Sequence, residues 1–465
     1  MGLSPIEKIM GEYSGFKEPG IGFRYLRHSD ILPKIKALSE NGFYTPIIAG
    51  TSIEGREIFK ITVGNGPVKI LVWSQMHGDE STATRAIFDL LNFLSSKNEN
   101  LIKFLLSSLT ITFVPMLNPD GAERFTRENA LNIDLNRDAK ALQCPEAEIL
   151  QNLRDEINPD FCFNLHDQNR YYSAGKTDLP PAIAFLAPPF NFENSRNDAR
   201  KKAMQVIVLL NRELQKIIPG KIAKYSDDHE PRAFGDNFSR QNSAVILIES
   251  GFYPGDEQKE FIRELNFRTL LTSFFLIAER SFSDIPIDEY ELIPENEERF
   301  FDLMLKDTEI VLAGKKFKAD IGINRSEIAG NGERGFFYIG TIEGVGDLST
   351  FTAHEIIDCR GLTAEPGRIM EIKDPAEVNY PDYGQLFNSG ITALLTGSFN
   401  PGSAYPQFPY NIVLRREAYA PSIRQDSAAD IVLFNETGIK YLIVNGFLIK
   451  NCNDKNSIRN GLIFR

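Results

Sequence analysis

Lys69-Ile70-Leu71-Val72-Trp73-Ser74-Gln75-Met76-His77-Gly78-Asp79-Glu80 is the stretch on which the reading of this chain turns. Its first half is almost continuously apolar, as a strand covered on both faces must be. Its second half sets a histidine and a glutamate three residues apart where that strand runs out. Before it, Ile58-Phe59-Lys60-Ile61-Thr62-Val63 alternates like a half-buried strand, and Gly64-Asn65-Gly66-Pro67 turns it into the Lys69 run. Beyond it, Leu109 to Met116, Phe161 to Leu165 and Ala244 to Ile248 read as three further buried strands. Helical patterns fall between them at Ala83 to Ser95, Pro145 to Glu156, Asn194 to Ile217 and Asp256 to Arg280. This alternation predicts an α/β fold, a mixed and largely parallel central sheet flanked by helices.

A chain of 465 residues is too long for one ordinary core. Ser281 to Glu298 is acidic, holds two prolines and lacks a period, so it reads as a linker. That predicts a catalytic domain over 1–285 and a second domain over 299–465. In the latter, short β-prone runs separated by Gly, Pro and Asn predict a smaller all-β, sandwich-like unit.

With 42% apolar and 25% charged residues, the composition is that of a globular protein rather than a disordered one. A net charge of −12 repels nucleic acid and anionic membranes, so neither is an expected partner. The four cysteines, Cys144, Cys162, Cys359 and Cys452, are widely spaced with no CxxC pair, which fits a reducing compartment. The N-terminal residues hold no apolar run of the signal-peptide kind, and no apolar stretch reaches the ~18 residues of a membrane span. A cytoplasmic location is the expectation.

The chemistry lies at the strand ends. His77 and Glu80 come after the Lys69 strand, and Asn118-Pro119-Asp120-Gly121 comes after the Leu109 strand. His166 comes after Phe161-Leu165, and Glu249 after Ala244-Ile248. Sites in open α/β sheets form at the carboxyl ends of strands, so two histidines and two glutamates should share one edge. A catalytic zinc takes three nitrogen or oxygen ligands and keeps one position open. His77, Glu80 and His166 supply that set, for one zinc per chain. Glu249, left over once Glu80 is assigned to metal, is the candidate base. An HxxE tetrapeptide by itself is commonplace. A histidine at an apolar strand end, however, is costly to bury without a partner. His28, His229 and His354 have no such setting and read as surface or loop residues.

Taken in order, these residues resemble the zinc metallocarboxypeptidases of the carboxypeptidase A type. Gly50-Thr51-Ser52-Ile53-Glu54-Gly55-Arg56-Glu57-Ile58 is similar to that family's entry strand, His77 to Glu80 to its HxxE metal motif, and Asn118 to Gly121 to its NPDG turn. Arg127-Glu128-Asn129-Ala130 and Asp134-Leu135-Asn136-Arg137 resemble its RxNA and DLNR segments. The likeness runs from about Thr51 to Gly251, a little under half the chain. It implies that Arg127 polarises the scissile carbonyl and steadies the oxyanion. Asn136 and Arg137 would hold a free carboxylate, for which a guanidinium fork is suited. Asp134 would accept a hydrogen bond from the far nitrogen of His77. Asp236 lies where the family often shapes its side-chain pocket; a carboxylate there would favour a basic or amino-bearing terminal residue, and a structural turn is the alternative. Asp79 departs from the arginine that the family's digestive enzymes carry before the glutamate ligand. Tyr225 and Tyr253 lie on either side of Glu249 in sequence, neither at the spacing of the family's mobile phenol.

The implied activity is zinc-dependent cleavage of the C-terminal peptide or amide bond of a peptide or acyl-amino-acid substrate. An N-acyl amino acid deacylase and a non-catalytic binding protein are the alternatives. The second domain resembles the amidohydrolase β-sandwich in Asp302-Lys306, Lys318-Ile323, His354-Gly367, Ala429-Phe434 and Tyr441-Gly446. No HxH pair comes after Pro366-Gly367, and roughly sixty residues between the halves fall far short of a barrel of about 250. An accessory role is expected, with contacts between copies of the chain as the use of this domain. The aromatic stretch Phe399 to Tyr410 reads as core packing.

Overall fold

A computed structural model describes residues 9, 11–97, 99–312, 314–330, 335–397, 399, 408–450 and 460–464. Cys452 and most of the Phe399–Tyr410 stretch lie outside the described residues. The chain divides into two compact units, Met1–Glu298 and Arg299–Arg465.

In the first unit the described strands are β1 (Ile47–Thr51), β2 (Glu57–Val63), β3 (Val68–Ser74), β4 (Leu109–Val114), β5 (Phe161–Asp167), β6 (Tyr172–Ala174), β7 (Ile183–Leu186), β8 (Ile222–Lys224), β9 (Ala244–Ser250) and β10 (Asn296–Glu298). Eight of them form one sheet in the order β1-β2-β4-β3-β5-β9-β7-β8. Its middle, β4-β3-β5-β9, is parallel, and antiparallel pairings flank it. The five strands expected from sequence are present, within a residue or two at their ends. β2 and β3, which a turn links in sequence, are not neighbours, because β4 inserts between them.

Alternation along β3, β5 and β9 sorts the core into two layers. Ile70, Val72, Phe163, Ile246 and Ile248 pack under helices Thr82–Leu94, Asp198–Leu214 and Glu260–Glu279. Leu71, Trp73, Cys162 and Val245 face the other way, against helix Pro145–Ile157 and against Phe234 and Phe238 of the short helix Phe234–Arg240. His166 and Glu249 share the parity of Cys162 and Val245, so they continue that second layer at the carboxyl end of the sheet. No helix among the described residues is long and apolar enough to cross a membrane.

Two expectations are corrected here. Residues 281–298 are not a free linker. Tyr290 and Ile293 are buried in the first unit's core, the Tyr290 hydroxyl accepts a hydrogen bond from Ala187 N (3.1 Å), and β10 pairs with β6. Two buried apolar anchors outweigh the acidic, proline-bearing composition from which a linker was read. The segment Gly50–Ile58 is likewise not one strand. β1 ends at Thr51 and β2 starts at Glu57, and a turn closed by Ser52 N to Arg56 O (2.9 Å) lies between them.

The second unit is β-rich. Phe300–Leu312, Lys315–Ala329 and Phe336–Gly346 form an antiparallel meander, with Thr352–Asp358 and Thr363–Pro366 parallel to the first of these. Ile431–Asn435, Gly438–Val444 and Phe447–Ile449 extend the same sheet. A second sheet of four strands, Arg368–Glu371, Ile391–Leu395, Asn411–Val413 and Ile463–Phe464, pairs in parallel throughout. A seven-residue helix, Tyr383–Ser389, adds a helical element to the expected all-β composition.

Candidate metal centre and substrate wall

The motif segments are interlocked before any metal is considered. Asp120 is fully buried, and its carboxylate accepts Ser52 Oγ (2.7 Å), Glu54 N (3.0 Å) and Arg56 Nη1 (2.6 Å). Three residues of the Gly50–Ile58 turn therefore hold the NPDG turn. Asn118 caps the helix Pro119–Arg124 by accepting Gly121 N (2.9 Å), and its Nδ2 donates to Met76 O (3.2 Å). Gly78 then packs directly on Gly121. A Cβ on Gly78 would stand 2.0 Å from the Gly121 carbonyl carbon, and one on Gly121 would stand 2.5 Å from Glu128 O. Gln75 adopts a left-handed φ of 50° and donates to Gly78 O (2.8 Å), closing the bend that carries His77.

On this base three side chains converge. His77 Nδ1 lies 2.8 Å from Glu80 Oε1, His166 Nδ1 lies 2.8 Å from Glu80 Oε2, and the two Nδ1 atoms are 3.2 Å apart. All three residues are buried. Among the described residues, His77, Glu80 and His166 are the group of metal-ligating side chains whose donor atoms fall within 4.8 Å of one another. His77 Nε2 meets Asp134 Oδ1 at 3.0 Å. With the proton on Nε2, the Nδ1 lone pair faces a carboxylate oxygen and a second imidazole nitrogen, with Arg127 Nη1 also at 3.1 Å. A cation between the three side chains suits this electron-rich set. Two nitrogens held about 2.0–2.1 Å from one tetrahedral zinc stand about 3.3 Å apart, close to the separation found. The residues present fit the ion.

Electrostatics agree with that demand for positive charge. Burial alone would lower the His77 pKa, but Glu80 and Asp134 outweigh it and raise it to about 9. His166 is pushed down, chiefly by burial. Glu80 falls well below the ordinary range, because His77 and His166 together overcome the cost of burying its charge.

Arg127 and Asp134 form the next layer. Arg127 Nε and Nη2 donate to Asp134 Oδ2 (3.2 and 3.0 Å), and its Nη1 reaches Glu80 Oε1 (3.3 Å). Asp134 thus touches both His77 and Arg127 while accepting Asn136 N (2.8 Å) at the start of the turn Leu135–Arg137. Asn136 Oδ1 accepts Phe234 N (3.0 Å), which ties this turn to the helix Phe234–Arg240. Arg137 donates through Nη1 to Asn136 O (2.9 Å), and its Nε lies 3.3 Å from Glu230 Oε2.

Glu249 stands opposite His166 in the β5–β9 register and is half-buried. Burial first, and the charge of Glu80 second, push its pKa up to about 8. A divalent ion at the triad would pull this value back down. Asp236 Oδ1 is engaged by His229 Nδ1 (2.9 Å) and Glu230 N (2.9 Å), contacts that brace the loop before helix Phe234–Arg240. Burial raises its pKa to about 6.

His229, expected as a surface or loop residue, lies in the loop before helix Phe234–Arg240. It is nearly buried, pairs with Asp236 and packs edge-on against Phe192 (4.8 Å between ring centroids). His28 is buried too, its Nε2 2.9 Å from Glu57 O. His354 stacks on Phe300 in the second unit. Two further features escaped sequence reasoning. Glu230 is one, since nothing in its spacing couples it to Arg137. The other is a pair of phenols, Tyr172 and Tyr225, with hydroxyls 3.0 Å apart. The Tyr225 pKa is raised, first by burial and also by the charge of Glu249.

Residues 35–176 match the family model described as zinc carboxypeptidase. That part of the first unit is similar to a zinc carboxypeptidase domain. The matched span includes His77, Glu80, Arg127, Asp134, Asn136, Arg137 and His166, and ends before Glu249. A probable carboxypeptidase 2 of Arthroderma benhamiae is 29% identical over 131 residues, 28% of this chain and 24% of that protein. Carboxypeptidase Z of Gallus gallus is 26% identical over 166 residues, 29% of this chain and 26% of that protein. The chain thus spans about a quarter of the length of these relatives. Among solved structures, a metallo-carboxypeptidase from Burkholderia cenocepacia gives a TM-score of 0.44 at 16% identity, covering 55% of this chain and 70% of that one. Zinc is the metal of this domain family, and two imidazoles with one carboxylate are a donor set that zinc takes in catalytic sites.

Proposed function

We propose that this chain is a zinc-dependent hydrolase that cleaves the C-terminal peptide or amide bond of substrates with a free carboxylate. The observation that carries this reading is the convergence of His77 Nδ1, Glu80 and His166 Nδ1 beside Glu249, with Arg127 Nη1 3.3 Å from Glu80. Zinc, when bound by His77, Glu80 and His166, supplies a Lewis acid that acidifies water and polarises a carbonyl. Glu249 takes a proton from the attacking water at its carboxylate and passes it to the leaving nitrogen. Arg127, a cation held by Asp134, faces the carbonyl oxygen as negative charge develops there. Asp134 keeps the His77 proton on Nε2, so Nδ1 stays free to bind metal. Asn136 and Arg137 hold the substrate's carboxylate and set which bond is presented. The free, buried thiols Cys144, Cys162 and Cys359 support a reducing compartment.

Stripping the protein with a chelator and returning one equivalent of zinc tests this reading. N-benzoylglycyl amino acids should be cleaved only by the reloaded protein, and their C-terminal amides should resist. Hydrolysis of acetyl- or succinyl-amino acids in place of the dipeptides selects a deacylase. Inactivity of the zinc-loaded protein on every free-carboxylate substrate would overturn the reading.

A further inference from the structure

The wall assigned to a substrate carboxylate carries an anion of its own. Glu230 Oε2 lies 3.3 Å from Arg137 Nε. Glu230 is also firmly held. Arg232 donates to it through Nε (2.9 Å), Nη2 (2.8 Å) and backbone N (3.0 Å), and Glu230 N donates to Asp236 Oδ1. The hydrogen bonds from Arg232 keep its carboxyl ionised, with a pKa lowered to about 2. Both members of the pair remain approachable, with 40% of the Arg137 side chain and 28% of the Glu230 side chain exposed.

A carboxylate without a neighbouring cation is poorly served here. It finds the Arg137 charge shared with Glu230, which Arg232 also pairs, and it must sit beside that fixed carboxylate. A group that bears a carboxylate and an ammonium on one carbon meets both with the right sign. Its carboxylate faces the Arg137 guanidinium and its ammonium faces Glu230 on the side away from Arg232, so each charge of the ligand meets one of opposite sign. We propose that Arg137 and Glu230 together recognise a terminal diamino acid with free α-carboxylate and α-ammonium, acylated on its side-chain nitrogen. Water adds to the acyl carbon, the bond to the side-chain nitrogen breaks, and the products are a carboxylic acid and the free diamino acid. This rests on the hydrolase reading above and narrows its substrate class.

Three matched pairs test it: 2,3-diaminopropionate, ornithine and lysine, each benzoylated on the side-chain nitrogen, against the same chains lacking the α-ammonium. The series also reads the reach between Arg137 and the scissile bond. The best diamino substrate should exceed its analogue in kcat/KM by about tenfold, the effect of one charge-assisted contact. The same ratio should appear in Kd on zinc-free protein. Glu230→Gln should bring both ratios to near one, the plain carboxylate being handled as well or better. A wild-type ratio of one or less throughout, or a Glu230→Gln effect equal on both members of each pair, would overturn the inference without needing any other variant. Cleavage of N-benzoylglycyl amino acids with none of the series cleaved overturns it while sparing the hydrolase reading. Should no substrate be cleaved, the Kd ratios still judge the Arg137–Glu230 pair separately.

Discussion

His166 and Glu249 face each other across the parallel pairing of β5 and β9, one register step before the strands end at Asp167 and Ser250. The residue proposed as a metal ligand and the carboxylate proposed as base are thus fixed by backbone hydrogen bonds of the sheet rather than by loops. Their relative position should survive changes that remove the chemistry of either. Glu249→Gln keeps the shape and removes the base. It should retain one zinc per chain and lower kcat by about 10²–10⁴-fold, the range of general acid–base catalysis. Metal analysis beside steady-state kinetics checks both halves, and full activity in the variant would remove Glu249 from the mechanism.

Asp134 touches His77 Nε2 and Arg127 at once. Asp134→Ala should weaken zinc binding by about 10–100-fold, as the loss of a hydrogen-bonded support behind a ligand does. Competition with a chromophoric chelator measures this directly. An unchanged zinc affinity would mean that His77 is oriented by its burial alone.

Gly121 has Glu128 O where its Cβ would go. Gly121→Ala should destabilise the first unit by about 1–3 kcal/mol, the usual cost of overpacking, and should loosen zinc by displacing the Gly78 bend. Trp73 is the single tryptophan and is buried in this unit, so its fluorescence during thermal unfolding reports on the correct half of the chain.

Asp430, buried in the second unit, has its pKa raised from 3.8 to about 6 by burial, against hydrogen bonds from Asn445 N and Asn411. The folded state therefore binds this proton more tightly than the unfolded chain. The corresponding stability is complete below about pH 4 and is lost as pH rises through about 6. A shift of two units corresponds to about 3 kcal/mol. Asp430→Asn should remove this dependence and leave the second unit at least as stable at pH 7, read from hydrogen exchange in Ile431–Asn435. A variant that exchanges faster at pH 7 would show that the carboxylate is needed ionised.

The residues that the sequence made legible are those whose chemistry is written in local pattern. The apolar runs of β3, β5 and β9 identify buried strands. Histidine and glutamate at their carboxyl ends identify a site, because only a partner makes a buried imidazole affordable. Helices Pro145–Ile157 and Glu260–Glu279 likewise fall on segments expected as helices, Pro145 to Glu156 and Asp256 to Arg280. What remained hidden depends on segments that meet only after folding. Composition made 281–298 a linker, yet Tyr290 and Ile293 anchor it in the core. Ser52, Glu54 and Arg56 looked like part of a strand, but their partner is Asp120, more than sixty residues away. No spacing in the chain announces that Glu230 will stand beside Arg137. Local sequence determined that this protein has a buried His-Glu-His centre on a sheet edge. Tertiary structure alone decided what surrounds it, since long-range pairing of charges depends on which loops pack together and leaves no period to read.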